Sequence, residues 1–468
     1  MTQPARDRPP SVERLLAAAR PRLGPREHGA VLLAAREVLD EARRRLHDGE
    51  PVPALEDLAD ALVERLEEVA ASGLVPAINA SGVILHTNLG RAPWPEAAIR
   101  TAIEAAAGAS LLEIDAATGR RGPRFRSAEE HLVALTGAGD VLITNNGAAA
   151  VALAVGLAGR GKGVVIGRGE LVEIGGGVRI PEIVRRAGLR LVEVGTTNRT
   201  RLADYAEVLA AGRAALVLRV HASNFRMEGF VESPDPAELA ALAHEHGVPL
   251  VDDIGSGALL DTAAFGLAHE PMPAERLAAG ADLVTFSGDK LVGGPQAGLI
   301  AGRADLVARL RRDPLARAMR PDKVTLAALA ATLGLYRAGR AVAEIPVWRM
   351  IAAPISSLET RARALAGVLA GTAGDGLADG VAGVRAVPLE ATIGGGSLPG
   401  QTLPSWGISL AGGPAERLLA RLRTGEPAVV GRVADGAVLL DLRTVDPSDD
   451  ARLAAAVHAA IAPSAGAS

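Results

Sequence analysis

From about residue 77 onward, short runs of apolar and β-branched residues alternate with longer stretches that are rich in alanine and leucine. The short runs indicate buried strands, and most of the stretches between them have the composition and length of helices. Strands that alternate with helices in this way are typical of a largely parallel sheet covered by helices. The strand candidates are VLITNN, GVVIGRG, LRLVEVG, AALVLRVH, VPLVDDIGSG, ADLVTFSG and AGLIAG. The sequence therefore predicts an α/β fold.

Polar side chains stand at the carboxyl ends of three of these candidate strands. They are Asn145–Asn146, Asp252–Asp253 and Ser287–Lys290. Because ligands of parallel α/β sheets bind at that edge of the sheet, these residues are the first candidates for a functional site.

The regions on either side of the alternating segment have different patterns. Residues 1–72 contain three stretches with helical spacing, the first capped by Ser11. After about residue 345, helical stretches frame a predicted hairpin, AVVGRVADGAVLLDLR, with its turn at Asp435–Gly436. We therefore predict an N-terminal helical module (1–72), a large α/β domain (73–344) and a small C-terminal α+β domain (345–468).

The N-terminal module has two interpretations. It is either a small helical bundle used for packing or oligomerisation, or a recognition module in which Arg43, Arg44 and Arg45 supply positive charge. A charge run is more often a solvated face, so this cluster does not decide between them.

Composition excludes several classes of site. The chain of 468 residues has no cysteine, which rules out disulfides, zinc–thiolate centres, iron–sulfur clusters and a cysteine nucleophile. Its net charge of −4 gives no global positive field for nucleic acid, although a local basic stripe would be compatible with that total. Neither a signal peptide nor a long apolar run is evident, so we expect a cytoplasmic protein without a membrane segment.

Lysine is rare in this chain, which has only Lys162, Lys290 and Lys323 among 50 lysines and arginines. A lysine amine can lose its proton and attack a carbonyl, whereas an arginine stays protonated. Lys290, in TFSGDKLVGGPQAG, is therefore either an amine with a chemical role or a solvated residue of a glycine-rich turn. Lys162 fits a helix-to-strand turn, and Lys323 fits a structural or peripheral role.

The order of the strand-end residues favours the chemical role. Asn146, Gly147 and Ala148 can present backbone N–H groups to a phosphate at a helix N-terminus. Asp252 or Asp253 follows, and then Ser287 with Lys290 three positions later. This is the order expected of a pyridoxal 5′-phosphate enzyme of fold type I, similar to aspartate aminotransferase, where the acid meets the pyridine nitrogen and the lysine binds the cofactor. Asp252 is favoured as that acid, because it directly follows the apolar run.

Several stretches along nearly the whole chain resemble the bacterial selenocysteine synthases, the L-seryl-tRNA(Sec) selenium transferases. The combination of HTNLGRA with SGDKLVGGPQAG is the most specific. Other matching stretches include TGRRGPR, RGELVEIGGGVRIPEI, VGTTNRT, VHASNFRMEGF, DPLARAMRPDK and GGGSLPG.

This resemblance implies conversion of L-seryl-tRNA(Sec) to L-selenocysteinyl-tRNA(Sec) through an aminoacrylyl-tRNA, with selenophosphate as the donor. The phosphoryl group of that donor requires a second anion site. The family match assigns this site to Arg91, Arg317 and Arg320. Asp313 and Pro314 are suited to begin a helix on which Arg317 and Arg320 lie three apart on one face. The alternative for these two arginines is a solvated helix face.

The resemblance also implies that the N-terminal module recognises the tRNA and that the enzyme is a homo-oligomer, a decameric ring of dimers. Two other functions compete with this one. The first is a related pyridoxal phosphate-dependent lyase of a free amino acid or amino sugar, and the second is a binding protein without catalysis. The N-terminal module and the paired arginines argue against the lyase, and the intact Lys290 argues against the binding protein.

Overall fold

The computed structural model describes residues 8–24, 28–70, 73–122, 124–174, 177–372 and 383–462. The chain divides into two compact units, residues 1–76 and 77–468. The described part of the first unit holds helices α1 (Val12–Ala19), α2 (His28–His47) and α3 (Leu55–Ala70). Ser11 caps α1 by accepting a hydrogen bond from the backbone N–H of Arg14, as predicted.

The first unit has its own small core of leucine, valine and alanine side chains, with Leu15, Leu39 and Leu62 fully buried. The three consecutive arginines on α2 are all paired with acids. Arg43 contacts Asp40, Arg44 contacts Glu41, and Arg45 contacts Glu50. The predicted basic cluster is therefore neutralised by its own neighbours.

The second unit contains two main sheets and the helices around them. Its strands are β1 (Ala77–Asn79), β2 (Val83–Leu85), β3 (Asp140–Thr144), β4 (Gly163–Gly167), β5 (Glu173–Ile174), β6 (Val178–Arg179), β7 (Arg190–Val194), β8 (Leu216–Val220), β9 (Leu250–Gly255), β10 (Leu283–Ser287), β11 (Gly298–Gly302), β12 (Gly383–Gly394), β13 (Thr402–Ala411), β14 (Ala428–Val430), β15 (Arg432–Ala434) and β16 (Ala437–Asp441). Its helices are α4 (Glu96–Ala107), α5 (Ser127–Thr136), α6 (Gly147–Val155), α7 (Ile180–Arg186), α8 (Leu202–Ala210), α9 (Pro236–Glu245), α10 (Pro273–Ala278), α11 (Ala304–Arg312), α12 (Pro314–Ala318), α13 (Lys323–Arg337), α14 (Ala341–Glu344), α15 (Pro346–Ala352), α16 (Ile355–Thr372), α17 (Ala415–Thr424) and α18 (Asp450–Ile461).

The large sheet has the order β3-β11-β10-β9-β8-β4-β7, in which β11 alone is antiparallel to its neighbours. Each of its seven strands coincides with one predicted strand, so the predicted α/β fold is confirmed. Two apolar clusters cover its faces. The face on which α6, α7 and α11 pack is called here the α6 face, and the face on which α5, α8, α9 and α13 pack is called the α13 face.

The second sheet has the order β15-β16-β13-β12-β2. The predicted hairpin is confirmed as β15 and β16, joined at Asp435 and Gly436, which both have positive φ. β2 pairs with β12, and β1 pairs with β14, so the start of the second unit is joined to its C-terminal part. The predicted domain boundaries stay predictions, and residues 71 and 72 lie outside the described residues.

None of the helices that the structure describes combines the length and the apolar character needed to cross a bilayer.

Candidate active site

Two neighbouring aspartates on β9 point to opposite faces of the large sheet. Successive side chains of a strand alternate, so Leu250, Asp252 and Ile254 share one face while Val251 and Asp253 share the other. Leu250 and Ile254 pack in the cluster of the α13 face, and Val251 packs in the cluster of the α6 face. Asp253 therefore faces the side on which α6 begins.

Asp253 has a fixed position on the α6 face. Thr285 of β10 lies opposite it in register and donates a hydrogen bond of 2.8 Å from Oγ1 to Oδ1 of Asp253. Burial raises the pKa of Asp253 to about 6, although the Thr285 hydrogen bond and the charge of Lys290 both act to lower it. The carboxylate is thus held in place close to the lysine.

Asp252 belongs to a buried charged cluster on the α13 face. Its Oδ2 lies 3.6 Å from Nε of Arg276 and 4.0 Å from Nη1 of Arg219. Arg219 also lies 3.8 Å from Glu170. Burial raises the pKa of Asp252, against the effect of the two arginines. The geometry therefore favours Asp253 as the acid beside Lys290, which is the reverse of the preference drawn from the sequence.

Lys290 follows β10 and is partly buried. Burial lowers its pKa, the nearby carboxylate of Asp253 opposes that effect, and the guanidinium of Arg91 adds to it. A lowered pKa increases the fraction of neutral amine, which is the form that attacks a carbonyl or accepts a proton.

The predicted phosphate cradle lies at the start of α6. Asn146 caps this helix by accepting a hydrogen bond of 2.8 Å from the backbone N–H of Ala149. A Cβ on Gly147 would lie only 2.7 Å from Oγ of Ser287, so the absence of a side chain at residue 147 leaves room beside that hydroxyl. Asn146, Gly147, Ala148 and Ser287 thus meet at one helix N-terminus, as predicted from the sequence, and the positive end of the helix favours an anion there.

Arg91 is brought close to Lys290 by a strained turn. Its φ of 64° is unusual for a residue with a side chain, and Gly90 before it also has positive φ. The Nη1 of Arg91 donates a hydrogen bond of 2.7 Å to Oδ2 of Asp289, the residue next to Lys290. Asp289 is buried, so this ion pair is partly shielded from solvent.

Arg317 and Arg320 are placed differently from the prediction. Asp313 caps α12 and Pro314 is its first residue, as predicted. However, the helix ends at Ala318, so Arg320 lies beyond it, and the prediction that both arginines share one helix face is wrong. Both side chains instead line one groove, in which Arg320 contacts Glu113 at 3.3 Å.

The sequence analysis missed several residues around Lys290. A Cβ on Gly396 would lie 2.6 Å from Nζ of Lys290, and a Cβ on Gly255 would lie 3.6 Å from the same atom. The buried Ser223 also lies near that position, with Oγ 3.3 Å from a Cβ so placed on Gly255. The motif GGGSLPG was noted only for its resemblance. No local signal connected its loop with the lysine more than a hundred residues earlier.

These residues fit pyridoxal 5′-phosphate. The helix N-terminus with Ser287 suits its phosphate, Asp253 suits the protonated ring nitrogen, and the amine of Lys290 suits its carbonyl carbon. All three groups lie at the carboxyl edge of the sheet or on its α6 face, and glycines at 147, 255 and 396 keep side chains away from the space around them. The donor set and the cradle are therefore compatible with the cofactor.

The chain is similar to one family of known proteins along most of its length. Residues 77–446 match the family model SelA, described as L-seryl-tRNA selenium transferase. The L-seryl-tRNA(Sec) selenium transferase of Rhizobium meliloti (strain 1021) is 44% identical over 448 residues, which cover 94% of this chain and 95% of the relative. The enzyme of the same name from Moorella thermoacetica is 44% identical over 457 residues, which cover 97% and 96% of the two chains.

Among solved structures, a D-glucosaminate-6-phosphate ammonia-lyase is similar with a TM-score of 0.57. It is 23% identical in sequence, and the match covers 84% of this chain and 97% of the lyase. At that identity the similarity shows the fold alone.

Proposed function

The chain belongs to the L-seryl-tRNA selenium transferase family, and we propose that it converts L-seryl-tRNA(Sec) to L-selenocysteinyl-tRNA(Sec) with selenophosphate as the selenium donor. It is a pyridoxal 5′-phosphate-dependent enzyme. The observation that carries the proposal is the placement of Lys290, with a lowered pKa, beside Asp253 and near a phosphate cradle, in a chain that matches this family along almost its full length.

The residues of the site divide the work of holding the cofactor. Backbone N–H groups of Gly147 and Ala148 and the hydroxyl of Ser287 would hold the phosphate, and Asn146 caps the helix start. Asp253 would accept a hydrogen bond from the protonated ring nitrogen, and Lys290 would hold the carbonyl carbon. When bound, pyridoxal phosphate supplies a carbonyl that takes the substrate amine and a ring that spreads the charge left by removal of the Cα proton.

Lys290 is the proton carrier of the proposed reaction. With the seryl substrate bound, a free Nζ of Lys290 would take the Cα proton. The ammonium thus formed can give that proton to the serine hydroxyl, which leaves as water. The lowered pKa of Lys290 suits both transfers, because the neutral amine accepts a proton and the ammonium releases it readily.

The arginines are assigned to the selenium donor. We propose that Arg317 and Arg320 bind the phosphoryl group of selenophosphate, since guanidinium groups are suited to tetrahedral oxyanions. Arg91 donates a hydrogen bond to Asp289, the neighbour of Lys290 in the sequence, and would orient the same anion toward the reacting carbon. The N-terminal helices would recognise the tRNA in a cytoplasmic decamer, a ring of dimers.

The absorption spectrum of the purified protein tests the cofactor and the substrate together. We expect a visible band from pyridoxal phosphate bound to Lys290, and we expect seryl-tRNA(Sec) but not free serine to shift it. Uncharged tRNA(Sec) is the control for RNA binding alone. A shift by free serine that equals or exceeds the shift by seryl-tRNA(Sec) would favour the small-molecule lyase.

Substitution of Gly396 by alanine is expected to slow uptake of pyridoxal phosphate by about 10-fold or more, because the new Cβ would lie 2.6 Å from Nζ of Lys290. Gly400→Ala, in the same loop, is a matched control. Gly400 also has positive φ, but no atom lies within 4 Å of its Cβ position. Both variants should lose about 1 kcal/mol of stability from backbone strain. Equal uptake rates in the two variants, measured by the growth of the visible band, would contradict the proposed crowding of Lys290.

A further inference from the structure

A groove of about 510 Å³ runs along the outer edge of the large sheet. Its apolar part includes Leu142 and Ile143 of the edge strand β3. Its other lining residues include one aromatic side chain, Phe125, and the arginines Arg312, Arg317 and Arg320. Neither Lys290 nor Asp253 is among the residues that line it. A groove with both apolar and cationic walls can bind a ligand that has flat apolar parts and negative charge.

Part of the positive charge of this groove is already neutralised. Arg126 and Arg311 both contact Glu129 and Asp140. Arg124 and Arg320 share Glu113, whose pKa is lowered chiefly by the hydrogen bond from Arg124.

Two arginines of the groove remain available to a ligand. Arg312 and Arg317 are exposed, and neither has an acidic partner among the residues that the structure describes. Every other arginine of the groove has such a partner, so these two provide its uncompensated charge, which an anionic ligand can neutralise.

An aromatic side chain stands beside these arginines. Three of the five phenylalanines, Phe125, Phe225 and Phe230, are exposed, and of these three only Phe125 lines the groove. Phe125 is 38% exposed and lies in the groove. An exposed ring next to arginines is the combination with which proteins bind single-stranded nucleic acid, because every base has a face that can stack and every nucleotide has a phosphate.

The segment that carries Arg317 and Arg320 is hydrogen-bonded to the chain just before the cradle helix. Met319, between Arg317 and Arg320, accepts a hydrogen bond of 2.8 Å through its carbonyl from the backbone N–H of Asn145. Asn145 stands at the end of β3 and directly precedes Asn146, the cap of the cradle helix. The wall that carries the two arginines is therefore attached to the sheet at the point where the cradle begins.

We propose that this groove binds the single-stranded 3′ end of the tRNA substrate, with Phe125 stacking on a base and Arg312 contacting a phosphate. This inference rests on the proposed function, in which the seryl group is attached to that end of the RNA. Arg317 and Arg320 then hold the donor at the same groove, so the two substrates approach the cradle from one side. The RNA contact adds to any contact that the N-terminal helices make.

The test measures binding of RNA by the cofactor-loaded enzyme. Fluorescence anisotropy would compare seryl-tRNA(Sec) and intact tRNA(Sec) with a tRNA(Sec) that lacks its unpaired 3′ nucleotides. Phe125→Leu, which keeps apolar volume but removes the ring, should weaken binding of the intact RNAs by about 10-fold. It should leave binding of the truncated RNA unchanged.

Arg312→Gln should lower the slope of log Kd against log salt by about 0.7, which corresponds to one lost phosphate contact on a single strand. Arg417→Gln is the control, since Arg417 is exposed on α17, a helix in the C-terminal part of the chain. This substitution should change neither the RNA affinity nor the salt slope.

Three results would overturn the inference. The first is unchanged affinity of both groove variants for intact RNA. The second is an equal loss of affinity for intact and truncated RNA. The third is a raised KM for selenophosphate with unchanged RNA affinity, which would make the whole groove a donor site. Failure of the proposed function is distinguishable from all three, because the unsubstituted enzyme would then show no spectral response to seryl-tRNA(Sec).

Discussion

Replacement of Lys290 by alanine is expected to lower the rate of L-selenocysteinyl-tRNA(Sec) formation by about 10⁴-fold or more, because it removes both the cofactor attachment and the proton carrier. The visible band of the bound cofactor should disappear in the same variant. The measurements are single-turnover conversion of seryl-tRNA(Sec) and an absorption scan after incubation with pyridoxal phosphate.

The scarcity of lysine makes the controls unusually clean. Lys290→Arg keeps the positive charge but cannot supply a neutral amine, so it should be as inactive as the alanine variant. Lys162→Ala and Lys323→Ala remove the other two lysines. Lys323 donates a hydrogen bond to the carbonyl of Gly108, and Lys162 lies exposed in a turn. Both should keep the band and most of the activity. A Lys290→Ala protein that still has the visible band would show that another residue binds the cofactor.

The α/β fold was predictable because strands buried on both faces leave a strong pattern. Runs such as VLITNN and ADLVTFSG are short, apolar and bounded by glycine or polar residues, which few other structures explain. The antiparallel direction of β11 and the pairing of β1 and β2 with the C-terminal strands were not predictable, since strand pairing depends on contacts between residues that are distant in the sequence.

The sequence indicated which residues gather at the proposed site, but not which face of the sheet each aspartate of β9 points to. The polar residues that end β3, β9 and β10 indicated the proposed cradle, the acid and the lysine. Because both faces of β9 are buried, the apolar pattern around Asp252 and Asp253 does not reveal which of the two would face a cofactor. The hydrogen bond from Thr285 and the arginines beside Asp252 favour Asp253, and they come from other strands and helices.

The short helix α12 illustrates a second limit. Asp313 and Pro314 correctly indicated where it begins, but the residues that follow contain no strong stop signal before Pro321. The helix ends at Ala318 where Met319 bonds to the end of β3, which is a tertiary contact. Because Arg320 is not on the helix, its spacing of three residues from Arg317 does not predict how the two side chains are oriented to each other.

The two aspartates of β9 offer the sharpest test of the site, since their side chains are chemically identical but point to opposite faces of the sheet. Asp253→Asn should lower kcat/KM by about 10²-fold or more, because an amide cannot hold the positive charge of the ring nitrogen. Asp252→Asn should leave the chemistry largely intact but destabilise the fold by roughly 3 kcal/mol, because it leaves the buried Arg276 without its acid and Arg219 with Glu170 alone. Kinetics and thermal unfolding of the two variants separate these effects. A loss of activity confined to Asp252→Asn would restore the preference drawn from the sequence.

The pH dependence of cofactor binding gives an independent test of the role proposed for Asp253. In the cofactor-free chain the pKa of Asp253 is raised to about 6 by burial, from an ordinary value near 4. A folded state that binds the proton more tightly than the unfolded state gains stability below the ordinary pKa and loses that gain as pH rises through about 6.

Cofactor binding has the opposite requirement, because Asp253 must be ionised to hold the ring nitrogen. The affinity of the apoenzyme for pyridoxal phosphate should therefore fall as pH is lowered through about 6, and the cofactor should in turn stabilise the ionised carboxylate. In Asp253→Asn the affinity should be weaker throughout and should lack this acid limb, while Asp252→Asn should retain it. An acid limb that persists unchanged in Asp253→Asn would assign the titration to another group and remove Asp253 from the cofactor site.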